Sequence, residues 1–170
     1  LKEGTVLVVS PLIALMEDQV KSLENKGIKA MYFESHSNSL PLSQQLDNCI
    51  YGNYKVVYTS PERLTNELFL EQISRAPLSL IAVDEAHCIS EWGHDFRPAY
   101  RKISKIRTVF PDLPILALTA SATPKVIIDI QSQLAFHAPH VFQQSFERPN
   151  LAYKIWKTED KYNTAAQILK

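Results

Sequence analysis

A chain of 170 residues with 45% hydrophobic content can bury the core of one domain, or of one domain and the start of another. Its 18 basic and 18 acidic residues cancel, so a nucleic-acid site here must be a local patch and not a global field. No stretch approaches the ~20 apolar residues of a membrane span, nothing at the start reads as a secretion signal, and Cys49 and Cys88 form no C-x-x-C pair, hence neither a disulfide framework nor a recognisable zinc site.

Strand-like and helix-like segments alternate along the chain. Thr5–Ser10 is a β-branched apolar run stopped by Pro11, the pattern of an interior parallel strand. Leu12, Leu15, Met16, Gln19, Val20 and Leu23 follow at helical spacing, and Gly27 closes that helix. Ala30–Phe33 reads as a second strand, 35–41 as irregular, Leu42–Tyr51 as a helix ended by Gly52, and Lys55–Ser60 as a third strand before Pro61. A helix over about Thr65–Ile73 leads into the strand Leu80–Val83. Tyr100, Ile103, Ile106 and Val109 predict one face of a helix ending before Pro111. Ile115–Thr119 is a fifth strand, and Thr123-Pro124 reads as an N-cap with proline at the first helical position, ahead of the apolar face Val126, Ile127, Ile130 and Leu134. Such alternation predicts an α/β domain with a mostly parallel sheet flanked by helices.

The strand Leu80–Val83 stops at two adjacent acids, Asp84 and Glu85. In an open α/β sheet, ligands bind beyond the carboxyl ends of the strands. Magnesium suits two acids there, because it keeps several waters and takes one or two carboxylates plus substrate phosphates. The plain alternative is a polar strand end that starts a helix. The segment that follows, His87 and then Trp92-Gly93-His94-Asp95-Phe96-Arg97-Pro98, packs rings, a glycine and an arginine together. That makes a poor core and a good surface for stacking single-stranded bases; alternatively, Trp92 and Phe96 simply anchor a loop. Cys88 with His87 and His94 suggests a metal cluster, but the neighbouring acids already have a better role.

The run D-E-A-H-C-I-S-E-W-G-H-D-F-R-P-A-Y, 84–100, closely resembles helicase motif II and the aromatic-rich loop of RecQ-family DNA helicases. Ser10–Val20 resembles that family's motif Ia, Thr59–Leu64 its motif Ib, and Leu118–Thr123 its motif III, with Ser121 where threonine is more usual. Ser145–Leu151 resembles the entry to its second motor domain, whose first strand would be Ala152–Trp156 and whose first helix would start over Lys161–Leu169.

The resemblance implies a RecA-like (P-loop NTPase-type) first motor domain over 1–143, partial, and over 144–170 a linker with the start of a second. It implies ATP and Mg²⁺ as cofactors, Asp84 as the magnesium-holding acid, Glu85 as the residue that polarises the attacking water, and His87 as the coupling residue. Ser10, Gln19, Ser60 and Arg63 become backbone contacts to single-stranded DNA. Trp92, His94, Phe96 and Arg97 become DNA sensors, and Thr119, Ser121 and Thr123 link the two sites. The implied activity is ATP-driven 3′–5′ translocation and unwinding in DNA repair and recombination. The implied partners are single-stranded DNA and DNA junctions, with no membrane and with protein partners unspecified. The implied location is the cytoplasm or nucleoid of a bacterium or the nucleus of a eukaryote. Zinc would belong only to a region further downstream. A non-catalytic DNA-binding remnant and an RNA helicase of the same superfamily remain alternatives.

The sequence contains no phosphate-cradling G-x-x-x-x-G-K-[ST]. The isolated 170 residues are therefore expected to hydrolyse no ATP, and the sheet to show a central gap or an exposed strand edge.

Overall fold

The computed structural model describes residues 3–34, 39–145, 148–155 and 157–169, which fall into two compact units, 1–139 and 140–170. The first unit holds five strands, β1 (Thr5–Val9), β2 (Ala30–Tyr32), β3 (Val56–Thr59), β4 (Leu78–Val83) and β5 (Ile115–Ala117), all parallel in the order β2-β3-β1-β4-β5. β1 lies in the middle, as its uninterrupted β-branched run predicts, and pairs Val9 with Thr59 on one side and Val83 on the other. The expected central gap is not there. Its alternative holds: β2 and β5 are the edges of the described sheet, and Leu116 on β5 is 44% exposed.

Alternation along β1 divides the core in two. Leu7 and Val9 join Val57, Ile81 and Val83 in the larger cluster, beneath Phe69, Ile103, Ile106, Val126 and Leu134. The opposite face is covered by α1 (Ile13–Glu24), whose Met16 and Val20 pack with Ala30 and Tyr58. α2 (Leu42–Tyr51) and α3 (Glu67–Ile73) contribute Leu46, Cys49, Phe69 and Ile73 to the larger cluster. Burial in this apolar layer pushes the Cys49 thiol up to about 11, so it stays a neutral packing group.

Element ends follow local chemistry. Gly27, with φ +76, turns the chain after α1 in a region that disfavours side chains. Gly52 is needed for a different reason than a left-handed turn. Its φ is −78, but a Cβ there would meet the Asn48 carbonyl at 2.3 Å, and the left-handed residue is the next one, Asn53. The helix expected from Thr65 is instead a 3₁₀ turn, Arg63–Thr65, and then α3, because the Asn66 side chain accepts from Phe69 N and starts the helix there.

The single helix expected across Tyr100–Val109 is three short pieces: α4 (Pro98–Arg101), a 3₁₀ turn Lys102–Lys105, and α5 (Ile106–Val109). The apolar residues recur every three positions. An α-helix would rotate them progressively off one face, whereas a segment wound at three residues per turn keeps them aligned. Tyr100, Ile103 and Ile106 are all fully buried as a result. The expected cap at Thr123 is present: its hydroxyl accepts from Val126 N, Pro124 opens α6 (Pro124–Gln133), and Val126 and Ile130 are buried.

One internal polar clamp was not visible in the sequence. Gln45, 5% exposed, accepts from Glu34 N at 2.9 Å and donates to Glu34 O at 3.3 Å and to Leu40 O at 2.6 Å. Its amide stands in for a neighbouring strand just beyond the open edge of β2. Gln45→Ala leaves Glu34 N and Leu40 O to find new partners, while Glu34 O keeps Arg63 as a donor, and is expected to cost about 1–3 kcal/mol in a denaturant titration.

In the second unit, α7 (Lys161–Ile168) is capped by Asp160, whose side chain accepts from Asn163 N and whose carboxyl that bond holds below the usual range. Residues 152–155 form no strand, contrary to expectation: Ala152, Tyr153, Lys154 and Ile155 are all exposed and have no ladder to join. Trp156, and residues 35–38, 146 and 147 of the expected irregular and entry segments, lie outside the described residues.

Candidate functional site

Because the strands are parallel, their carboxyl ends share one edge of the sheet. β1 delivers Ser10 there, β3 Ser60, β4 Asp84 and Glu85, and β5 the loop with Thr119. Asp84 N donates to Val9 O at 2.9 Å, which continues the ladder one residue beyond β4. Its Oδ1 accepts from Glu85 N at 3.0 Å and its Oδ2 accepts from Ser10 Oγ at 3.4 Å. Ser10 is 1% exposed, so the structure places its hydroxyl beside the Asp84 carboxylate and not on an accessible surface. Glu85 has φ 47 and ψ 43, a left-handed conformation that turns the chain sharply into the 3₁₀ turn Ala86–Ile89.

His87, 5% exposed, occupies the middle of the site. Its Nδ1 lies 3.2 Å from Glu85 Oε2 and 3.0 Å from Thr119 Oγ1, and its ring stacks on His94 with centroids 4.2 Å apart. One imidazole thus touches an acid, the loop after β5 and the aromatic segment. Gly93 permits this packing, since a Cβ there would sit 2.5 Å from the His87 carbonyl. Cys88 is buried beside them, its thiol pushed up to about 11, chiefly by burial. Two stacked imidazoles cannot converge on one ion, and no group of three or more His, Cys, Asp or Glu among the described residues is placed to hold a metal. Asp84 with its neighbour fits the sparser demand of Mg²⁺.

Each aromatic-segment side chain has a partner. Lys125 of α6 sits over the Trp92 ring, and Arg101 sits 5.0 Å from the Phe96 ring centroid while pairing with Glu91 at 2.9 Å. Arg97 donates to Asp95 at 3.0 and 3.2 Å, and to Pro11 O at 3.3 Å. That hydrogen-bonded carboxylate raises the Arg97 guanidinium above its ordinary value. Through Pro11, Arg97 also ties the aromatic segment to the start of the Ser10–Val20 motif.

Of the remaining sequence-derived residues, Ser60 and Arg63 follow β3 and Thr119–Thr123 follow β5 at the same edge, whereas Gln19 lies midway along α1. Gln19 is half-buried on α1, and Ser60 half-buried after β3. Arg63 donates to Glu34 O and stacks 5.6 Å from the Phe33 ring centroid; its burial lowers its affinity for the proton. Thr119, Ser121 and Thr123 are exposed, and Thr119 Oγ1 also accepts from Ser121 N at 3.3 Å.

A profile of the DEAD/DEAH box helicase family matches residues 1–130. The chain belongs to the DEAD/DEAH box helicase family. Within that family it is 46% identical over 160 residues to the ATP-dependent DNA helicase RecQ of Bacillus subtilis (strain 168), covering 94% of this chain and 27% of that protein. To the ATP-dependent DNA helicase RecQ of Pasteurella multocida (strain Pm70) it is 44% identical over 153 residues, covering 90% and 24%. The chain thus spans about a quarter of the length of these relatives. The crystal structure of the Pyrococcus furiosus Hef helicase domain has the same fold, with a TM-score of 0.61 at 23% identity over 86% of this chain and 30% of that one. The RecA-like parallel sheet and the resemblance to RecQ helicases are both borne out.

Three residues of this helicase-family site escaped the sequence reading. Tyr100, buried completely, donates its phenol to Asp84 O at 3.1 Å and so fixes the strand end from the aromatic side. Asp95 holds Arg97, a pairing signalled by acid and base two residues apart. Lys125 had no signal at all, because only the tertiary structure brings it to Trp92.

Proposed function

We propose that the chain forms the acid-bearing and DNA-sensing part of an ATP-dependent DNA helicase of RecQ type, one that couples Mg-ATP hydrolysis to 3′–5′ movement on single-stranded DNA and to unwinding in repair and recombination. The observation that carries this reading is His87, which contacts Glu85, Thr119 and His94 at once. A shift in the aromatic segment therefore has a direct route to the acid that would take a proton from the attacking water. Asp84 is the residue to hold Mg²⁺, directly or through water, with Ser10 orienting one of its oxygens. When bound, Mg²⁺ supplies charge neutralisation at the phosphates.

Trp92, His94, Phe96 and Arg97 meet single-stranded DNA, the rings by stacking and Arg97 by leaving Asp95 for a phosphate. Ser60, Arg63 and Gln19 line the route for the backbone, where contacts set position without reading sequence. DNA junctions are the larger substrates of such a motor.

The test is ATP hydrolysis by the protein at its natural full length, with and without oligo(dT). Trp92→Ala and Arg97→Ala are expected to lose most of the DNA stimulation while nucleotide binding persists. DNA-stimulated turnover at the wild-type rate in both variants would sink the coupling role. Stimulation by RNA over DNA would move the protein to RNA substrates.

A further inference from the structure

Lys125 is the second residue of α6, at the same edge of the sheet as Asp84. Its ammonium lies 3.0 Å from the centroid of Trp92, a ring that is 64% exposed. Among the described residues Lys125 has no carboxylate partner, and the first turn of α6 contains no acid. The first turn of a helix carries the positive end of its dipole and disfavours a further cation. Within the chain, the indole face is what holds this charge. A ligand that takes that face and also offers an anion answers both halves of the pair. A single-stranded nucleotide does so, with a flat base for the ring and a phosphate for the ammonium. An acidic peptide supplies only the anion, and duplex bases keep their faces stacked.

We propose that Lys125 is a phosphate-contacting residue of the single-stranded DNA path, released from the Trp92 ring when a base stacks there. This rests on the DNA-binding reading above and extends the contact surface from the aromatic segment to α6. The Thr119–Thr123 loop runs directly into α6, and Thr119 touches His87. DNA held by Lys125 therefore pulls on a second connection to the acid site, independent of the aromatic segment.

The experiment is a salt titration of fluorescein-labelled oligo(dT) binding, followed by anisotropy, with the full-length protein and its Lys125→Ala and Lys125→Arg variants. Losing one phosphate contact should make the plot of log K against log salt shallower by about 0.7. Over the decade below 1 M that is about a fivefold loss of affinity at 0.1 M salt. Lys125→Arg should restore both. An unchanged slope in Lys125→Ala overturns the proposal, as does tighter binding, which would mean that Lys125 only covers the ring. A wild-type protein that binds oligo(dT) without salt dependence, or not at all, overturns the DNA-binding reading itself. Wild-type binding with an unaltered Lys125→Ala slope overturns this inference alone.

Discussion

Glu85→Gln in the full-length protein is expected to lower DNA-dependent ATP turnover by about 10²–10⁴-fold, the range for loss of a positioned general base, while ATP still binds. The substitution keeps size and shape, so the left-handed backbone at 85 and the closeness of the side chain to His87 can persist. Only the capacity to accept a proton from water is removed. Steady-state hydrolysis with and without oligo(dT), beside a fluorescent-nucleotide binding assay, separates chemistry from affinity. Wild-type turnover in the Gln variant would place the base elsewhere, and loss of nucleotide binding would make Glu85 a binding residue.

Tyr100→Ala is expected to destabilise the first unit by about 3–5 kcal/mol, the usual cost of removing a large buried ring, and to lower its melting temperature on the order of 10 °C. The side chain is fully buried in the larger core cluster, and its hydroxyl donates to the carbonyl of Asp84. Burial pushes the phenol far above its ordinary ionisation range, so it remains a donor at any working pH. Tyr100→Phe removes the donor and leaves the ring, and is expected to cost only about 1 kcal/mol. Calorimetry on the two variants decides how the load is divided. Equal losses would mean that the hydrogen bond, and not the packing, holds the strand end in place.

The parts of the molecule governed by local pattern were legible in the sequence. The β-branched run at Thr5–Val9 announced an interior strand because both of its faces are covered. Asp84-Glu85 announced the end of a strand because charges cannot continue a buried one. Thr123-Pro124 announced a helix start because capping is a matter of neighbouring residues. What escaped depends on residues far apart in the chain. Gln45 clamps Glu34, Tyr100 supports Asp84, and Lys125 caps Trp92 only after the sheet has assembled. Over 98–109 the spacing of three suggests one face of an α-helix, yet it suits three residues per turn better, and the helix breaks there into short pieces. Ser10 shows the limit of carrying a role over by position, since a residue matching a DNA-contacting motif is buried against the acid.

The backbone at Glu85 has an evolutionary consequence. A left-handed residue with a side chain is disfavoured by about 1–2 kcal/mol, and glycine or asparagine relieves much of that. Selection for stability alone would therefore drift away from glutamate at this position, whereas under the role proposed for Glu85 selection for turnover would hold it. Libraries sorted only for soluble expression should enrich Gly or Asn at 85 and fill with well-folded, silent proteins; it is a position where fitness and foldedness part company.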